Sequence, residues 1–278
     1  MNLQPQAIAP PSPQPDWLYW LDQCSSTNSW AIAHRHLPVG AVVFTPQQTA
    51  GRGQKGRTWH SPAGGLTASF VVDSIPVEQF PRLSLLAGLA VIYAIEDLIP
   101  TLQQQLKLKW MNDIWWGDRK LAGILCESAL QSAESQGRVI IGIGLNHTVD
   151  FTTLDAEQGT QLCQTAVSLH TLTQSVPDIF TILDRIRFYL LQMSSLLQWW
   201  QTSDTQIKGW SILLAALRQR DALLGKQVTM QLPAIGEQDG EQVVGIGVGV
   251  GDRGELMLRL GDGGVRSIIA GHIVQIQG

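Results

Sequence analysis

A stretch between residues 48 and 69 combines glycine with positive charge in a way that suits the binding of an anion. Glycines and cations alternate at its centre, as Gly51, Arg52, Gly53, Lys55, Gly56 and Arg57, and Trp59 follows them. Glycine lets the backbone turn tightly and approach a ligand, and the cations supply donors for phosphate or carboxylate oxygens. No acidic residue occurs from 23 to 72 to neutralise them. Taken alone, the stretch also fits a solvated surface turn.

Further segments place polar side chains at the ends of predicted elements. The Ser-Thr-Asn run at 26–28 precedes a short predicted helix, where it would cap the helix or bind a polar ligand. Lys109-Trp-Met-Asn-Asp113 ends a strand, Lys120 begins the second strand of a hairpin, and Ile141-Gly-Ile-Gly-Leu-Asn146 ends in an amide. The last segment is not a dinucleotide fingerprint, because the third glycine and the following helix are missing.

The elements that hold these segments do not follow a repeating βαβ pattern. Apolar residues recur at helical spacing over 82–98, which Pro100 ends, and again over 177–200 and 207–217. Between the first two of these helices, four strands succeed one another without an intervening helix. Such a run indicates a mixed or antiparallel sheet rather than a Rossmann sheet, so the sequence predicts an α+β fold.

Composition divides the chain into three parts. Residues 1–16 are rich in proline and lack apolar periodicity, which predicts a disordered tail. Residues 17–220 contain all the segments described above and form the predicted catalytic domain. Residues 221–278 lack aromatic residues and hold nearly half of the chain's 27 glycines. Their four or five short alternating stretches, separated by glycine turns, predict a small β-barrel domain.

The bulk composition excludes several classes of function. Apolar residues make up 44% of the 278 residues, enough for a sizeable core, and the net charge of −4 argues against DNA binding. Three widely spaced cysteines without a C-x-x-C pair fit a reducing compartment and no zinc site. With no signal peptide and no apolar run long enough to cross a bilayer, the protein is expected to be cytoplasmic, without membrane association.

In three segments the chain closely resembles the biotin–protein ligases, also called biotin–[acetyl-CoA-carboxylase] ligases. The family patterns are G-R-G-R-x-G-R-x-W, K-W-P-N-D followed by K-L-A-G-I-L, and G-I-G-x-N. They correspond to residues 51–59, 109–113 with 120–125, and 142–146. The resemblance covers about residues 17–278. It implies a mixed sheet backed by helices, akin to class II aminoacyl-tRNA synthetases and biotin synthetases, with a small C-terminal SH3-like β-barrel.

The resemblance also implies an activity and its residues. The family uses ATP and Mg²⁺ to convert biotin into biotinyl-5′-AMP, and a lysine of the biotin carboxyl carrier protein then displaces AMP. Catalytic roles are implied for Arg52 and Lys120. Biotin-binding roles are implied for Ser26, Thr27, Asn28, Gln48, Gly51, Arg52, Gly53, Gln54, Lys120 and Gly123. ATP-binding roles are implied for Arg52, Arg57, Trp59, Lys109, Asn112 and Asn146, and Asp113 is the implied Mg²⁺ ligand.

Two positions depart from the family pattern, and two other functions stay open. Met111 replaces the family's proline, and Gln54 stands where many members carry a second arginine, which removes a charge from the loop. One alternative is lipoate–protein ligase-like acyl adenylation, although the R-R-x-S-G-G-G stretch of that family is missing. The other is a non-catalytic biotin-binding adapter. A DNA-binding repressor is not expected, because too few residues precede the predicted catalytic domain. We expect a monomer or homodimer.

Overall fold

The computed structural model describes residues 8–76, 79–128, 136–154, 162–199, 206–234 and 240–278. Residues 1–7 of the predicted tail and residues 155–161, which connect two predicted elements, lie outside this part of the chain. The described end of the tail makes contacts with the rest of the molecule. Ile8 packs against the core, and Gln14 Nε2 donates to the carbonyl oxygen of Leu18 over 2.6 Å.

Seven strands form the larger of two sheets. They run Leu18–Trp20 (β1), Val42–Thr45 (β2), Gly65–Pro76 (β3), Leu106–Lys109 (β4), Asp113–Trp116 (β5), Arg119–Ser128 (β6) and Gln136–Asn146 (β7). Their order across the sheet is β1-β2-β3-β7-β6-β5-β4. β1 and β2 pair in parallel, whereas the other neighbours are antiparallel, so the predicted mixed sheet is confirmed.

Helices supply the rest of this half of the molecule: α1 (Thr27–Ala33), α2 (Phe80–Leu98), α3 (Ile179–Trp199) and α4 (Gln206–Arg220). The α2 sequence is apolar almost all round, because α2 lies between the sheet and α3 and buries most of its surface. Leu85, Leu86 and Leu89 are among its fully buried side chains, each stabilising the fold by about 1.5–3 kcal/mol. None of the described helices is both long and apolar enough to cross a bilayer.

The second sheet is built from the glycine-rich C-terminal part. Its strands are β8 (Gln227–Gln231), β9 (Gln242–Val250), β10 (Leu256–Arg259), β11 (Val265–Ile268) and β12 (His272–Gln277), in the order β11-β10-β9-β8-β12. The last predicted stretch divides into two strands, because Gly271 turns the chain at φ 150°. Since β11 and β12 are the edges of this sheet in the described residues, closure into a barrel stays a prediction.

A buried ion pair joins α2 to the end of α4, just before the chain enters the second sheet. Arg220 donates to both carboxylate oxygens of Glu96, over 2.7 and 2.6 Å, and both residues are buried. The next residue, Asp221, forms an isolated parallel β-bridge with Leu108 of β4, and Ala222 N donates to Leu108 O over 3.0 Å. Burial raises the pKa of Asp221 to about 6. The C-terminal sheet is therefore anchored to the edge strand of the larger one.

Candidate active site

The predicted binding segments meet in a cavity over one face of the larger sheet. Its walls come from the start of α1, the loop of residues 51–59 and strands β3, β5, β6 and β7. It is lined by Ser26, Thr27, Asn28, Gln48, Arg52, Gly53, Gln54, Arg57, Thr58, Trp59, Thr67, Ala68, Asn112, Asp113, Lys120, Gly123, Ile124, Leu125, Gly142, Ile143 and Gly144. Of the predicted site residues, Gly51, Lys109 and Asn146 are not part of this lining.

The floor of the cavity is bare main chain. Gly123 of β6 lies directly opposite Gly144 of β7, and Gly142 lies on the same face two residues earlier. A Cβ at Gly144 would lie 2.2 Å from the indole of Trp59, and one at Gly142 would lie 2.5 Å from Asn28 Oδ1. Only glycine leaves room for the residues above. The sequence predicts a binding role for Gly123, whereas it identifies Gly142 and Gly144 only as part of the G-I-G-x-N motif and predicts no role in the site for them.

Neutral polar groups line one end of the cavity. Ser26, Thr27 and Asn28 are all buried, and Ser26 caps α1 by accepting a hydrogen bond from Ser29 N over 3.4 Å. Gln48 Oε1 accepts a hydrogen bond from the backbone N of Thr27 over 3.0 Å, which ties the segment between β2 and the 51–59 loop to the start of α1. This end of the cavity can therefore bind an uncharged polar group through several hydrogen bonds.

The loop of residues 51–59 is a short closed hairpin. Gly53 N donates to Arg57 O over 2.6 Å, and Trp59 N donates to Gly51 O over 2.9 Å. A Cβ at Gly51 would lie 2.3 Å from Trp59 O, so this closure requires glycine there. Gly56 adopts a positive φ of 74° at the tip. Gly51 thus shapes the loop from behind, while Gly53 reaches the cavity.

Lys120 reaches the cavity through an irregularity in its strand. It lies three residues before Gly123, so regular alternation would put the two side chains on opposite faces of the sheet. The β5–β6 pairing shifts register between Ile114 and Trp115, and this bulge turns Lys120 onto the cavity face. Its Nζ lies 2.6 Å from Asp113 Oδ1. The bulge and the ion pair together fix the ammonium at the cavity.

Arg52 and Arg57 join Lys120 as the cations of the lining. Arg52 Nη2 donates to both carboxylate oxygens of Glu127, over 2.9 and 2.8 Å, and Lys120 Nζ lies 5.4 Å from the Trp59 ring centroid. Lys120 thus lies beside Gly123 and Trp59, whereas the Arg52 guanidinium lies at Glu127, close to Asn28. Glu127 was missed in the sequence, because its partner lies 75 residues away.

A smaller pocket adjoins the cavity on the side of the C-terminal sheet. It is lined by Gln54, Arg57, Lys109, Trp110, Met111, Asn112, Asp113, Gly271, His272 and Ile273. Burial lowers the pKa of Lys109, the nearby Lys120 and Arg57 lower it further, and Asp113 opposes them. Lys109 therefore lies near the cavity cations although it lines the adjoining pocket. The sequence did not point to His272, which the second sheet contributes.

Two predicted asparagines hold backbone groups. Asn112 lines both pockets, and its Nδ2 donates to Ile124 O over 2.9 Å. Asn146 is buried, and its Nδ2 donates to the carbonyl oxygens of Lys120 and Val167 over 3.1 Å each. The structure places Asn146 behind Lys120, where it supports the backbone of that residue. Its direct contact with a nucleotide stays a prediction.

The donor set of the cavity fits a metal that arrives with a phosphate ligand. Asp113 is the acidic residue among those that line it. In the described ranges, no three His, Cys, Asp or Glu side chains form a cluster that could hold a metal ion. Mg²⁺ is commonly held by one or two carboxylates together with substrate phosphates. One carboxylate beside several cations matches that arrangement.

Comparisons with known proteins agree with this geometry. Residues 20–146 match the model of the biotin/lipoate A/B protein ligase family. The biotin–[acetyl-CoA-carboxylase] ligase of Mycobacterium tuberculosis is 33% identical over 261 residues, which cover 92% of this chain and 87% of that protein. The bifunctional ligase/repressor BirA of Bacillus subtilis is 41% identical over 134 residues, 46% of this chain and 40% of that protein. The fold matches the Aquifex aeolicus biotin protein ligase solved with biotin and ATP, with a TM-score of 0.72, 24% identity and coverage of 94% and 98% of the two chains.

Proposed function

The chain belongs to the biotin–protein ligase family, and we propose that it uses ATP to join biotin to a lysine of the biotin carboxyl carrier protein. One observation carries the proposal: a single cavity has a neutral polar end at Asn28, beside Gly142, and a cationic end at Lys120, beside Gly123, along a floor of glycine backbone. The neutral end suits the ureido ring of biotin, and the cationic end suits its carboxylate and the phosphates of ATP. The cavity therefore suits a ligand with an uncharged polar group at one end and an anionic group at the other.

The first step forms a mixed anhydride. An oxygen of the biotin carboxylate attacks the α-phosphorus of ATP, the bond to the β-phosphate breaks, and pyrophosphate leaves with its electron pair. Both reactants are anions, so their approach requires fixed positive charge. Lys120, held by Asp113 at 2.6 Å, and the arginines of the loop supply it. Such preorganised charge is often the largest single contribution to catalysis.

Asp113 would hold the Mg²⁺ that accompanies ATP, together with phosphate oxygens of the nucleotide. A bound metal would neutralise charge on those phosphates. Trp59 lies over the glycine floor between the two ends of the cavity, where its ring can pack against the adenine. Lys109, Arg57 and His272 line the adjoining pocket, which gives the leaving pyrophosphate a cationic surrounding.

The second step transfers the acyl group. The ε-amine of the acceptor lysine attacks the carbonyl carbon of biotinyl-5′-AMP, the bond to the phosphate oxygen breaks, and AMP leaves as the amine loses a proton. Lys120 and Arg52 lie where they can stabilise the negative charge that develops on the phosphate. The acceptor is a carrier domain of acetyl-CoA carboxylase, and the reaction takes place in the cytoplasm. Residues 17–220 form the catalytic domain, and residues 221–278 fold as an SH3-like barrel.

Two alternatives share parts of the site. A lipoate–protein ligase would use the same adenylation chemistry, but lipoate has no ureido ring to occupy the neutral end formed by Thr27, Asn28 and Gln48. A non-catalytic biotin-binding adapter would leave the Lys120–Asp113 pair without a role. Both alternatives are separable from the proposed reaction by experiment.

The test is a reconstituted reaction. The protein is incubated with biotin, Mg-ATP and a carboxylase carrier domain, and the carrier is analysed by intact mass and peptide mapping. We expect one biotinylated lysine, none when ATP is omitted, and none on a carrier whose acceptor lysine is replaced by arginine. Modification by lipoate but not by biotin would establish the lipoate alternative. Biotin binding without ATP-dependent transfer would establish the adapter.

A further inference from the structure

Glu127 forms hydrogen bonds with two residues that line the cavity, Asn28 and Arg52. It lies on β6 four residues after Gly123, so its side chain is on the cavity face of the strand, although it does not line the cavity. Its Oε2 accepts from Asn28 Nδ2 over 2.8 Å, and both of its oxygens accept from Arg52 Nη2. One carboxylate thus holds both a neutral residue and a cation of the cavity lining.

This contact determines which way the Asn28 amide points. A carboxylate accepts hydrogen bonds and cannot donate them, so it must face the Nδ2 group of Asn28. The carbonyl oxygen of Leu125, 3.2 Å from the same Nδ2, requires the same orientation. Oδ1 then lies on the other side, 2.5 Å from Ser69 Oγ and close to Gly142. With Nδ2 occupied by Glu127 and Leu125, the group that Asn28 can still offer a ligand in the cavity is the second lone pair of Oδ1, an acceptor that matches the N–H groups of a ureido ring.

The same carboxylate also forms an ion pair with Arg52. Nearly half of the Arg52 side chain is exposed, against 26% for Glu127, so the pair is partly solvated. Ion pairs of this kind are weak, and a phosphate in the cavity can replace the carboxylate as the partner of Arg52. Both hydrogen bonds use Nη2, so a phosphate that takes Nη2 as its donor has to displace the carboxylate, whereas an uncharged ligand leaves the pair intact.

We propose that Glu127 is a positioning residue with two effects of opposite sign on ligand binding. It strengthens binding of the biotin ring, because it fixes Asn28 as an acceptor. It weakens binding of the adenylate phosphate, because it competes for Arg52. This inference rests on the proposed function.

Glu127→Gln tests it with two probes, measured by calorimetry on the full-length protein. Biotinamide carries the ureido ring without charge, and a non-hydrolysable biotinyl-AMP analogue carries ring and phosphate. The variant should bind biotinamide about two- to tenfold more weakly, since Asn28 loses its hydrogen bond to a charged acceptor and is left with the longer Leu125 contact to fix its amide. Its loss of affinity for the analogue should be about two- to fivefold smaller than its loss for biotinamide, because the carboxylate no longer competes with the phosphate for Arg52. The ratio of the two dissociation constants should shift by that factor.

Arg52→Gln provides the matched control. In that background Glu127→Gln should still weaken biotinamide binding, but the shift in the ratio should vanish. Equal weakening of both probes by Glu127→Gln, or an unchanged ratio shift without Arg52, would show a merely structural role and overturn the inference. If the unmodified protein binds neither probe, the proposed function itself fails, and the inference fails with it.

Discussion

Replacing Lys120 by alanine should lower the rate of adenylate formation far more than it lowers the stability of the fold. The variant removes an ammonium that lies 2.6 Å from Asp113 and about a third of whose side chain is exposed. Partly exposed ion pairs contribute about 0.2–1 kcal/mol, so the free energy of unfolding should fall by no more than that. For a chain of this size the melting temperature should fall by at most about 4 °C.

The effect on adenylate formation should be much larger. Removing one preorganised group that stabilises developing charge typically lowers the rate about 10²–10³-fold, or about 2.7–4 kcal/mol of activation free energy. The rate is measured as biotin-dependent release of pyrophosphate, under saturating biotin and Mg-ATP. Lys226→Ala is the matched control, because Lys226 pairs with Asp118 at 3.0 Å outside the cavity lining. It should form adenylate at the rate of the unmodified protein. Loss of less than tenfold in the Lys120 variant, or an equal loss in the control, would refute the catalytic role.

Three further outcomes are expected. Gly144→Ala would push a methyl group into Trp59 and should weaken biotin binding by about 1–3 kcal/mol, as measured by calorimetry. Gly261→Ala is the control, because a Cβ there meets nothing within 4 Å, and it should bind biotin normally. Equal affinities of the two variants would refute the role of the glycine floor. Because the raised pKa of Asp221 favours its protonated form in the folded protein, folded stability should fall as pH rises from 3.8 to about 6. In denaturant unfolding, the free energy of unfolding of Asp221→Asn should rise relative to that of the unmodified protein over that window, by at most about 3 kcal/mol. Parallel pH profiles of the two proteins would contradict this. Gln54→Arg should release adenylate about fivefold more slowly in a gel-filtration chase, and an unchanged release rate would show that the missing charge does not limit retention.

Much of the site was predictable because its segments are contiguous. The loop of residues 51–59, the end of β4 and the start of α1 each carry recognisable local chemistry, and the structure brings most of their residues to one cavity. The mixed sheet followed from strands in direct succession, and the helix predicted over 82–98 is found at Phe80–Leu98. These features depend on local periodicity and on turn residues, which a single sequence contains.

The rest depends on contacts between distant segments. No local pattern pairs Arg52 with Glu127, or aims the amide of Asn146 at the backbone of Lys120. The bulge before Gly123 also escaped prediction, because the register of β6 is decided by its pairing with β5. In the C-terminal part, Gly271 breaks what the alternation predicted as one strand. Register and long-range pairing are properties of the folded sheet, so they became visible only in the structure.

The glycine floor has a consequence for how substrate choice can change in evolution or in the laboratory. A pocket lined by side chains can be enlarged or narrowed at any point by substitution. Here the central surface is main chain, paired on both sides within the sheet, and it offers nothing to trim. A new acid substrate would be accommodated by changing the start of α1, the 51–59 loop with its Trp59, or the lining side chains of β3, β5 and β6. Selection for altered specificity should therefore concentrate its mutations in those walls and leave Gly123, Gly142 and Gly144 untouched.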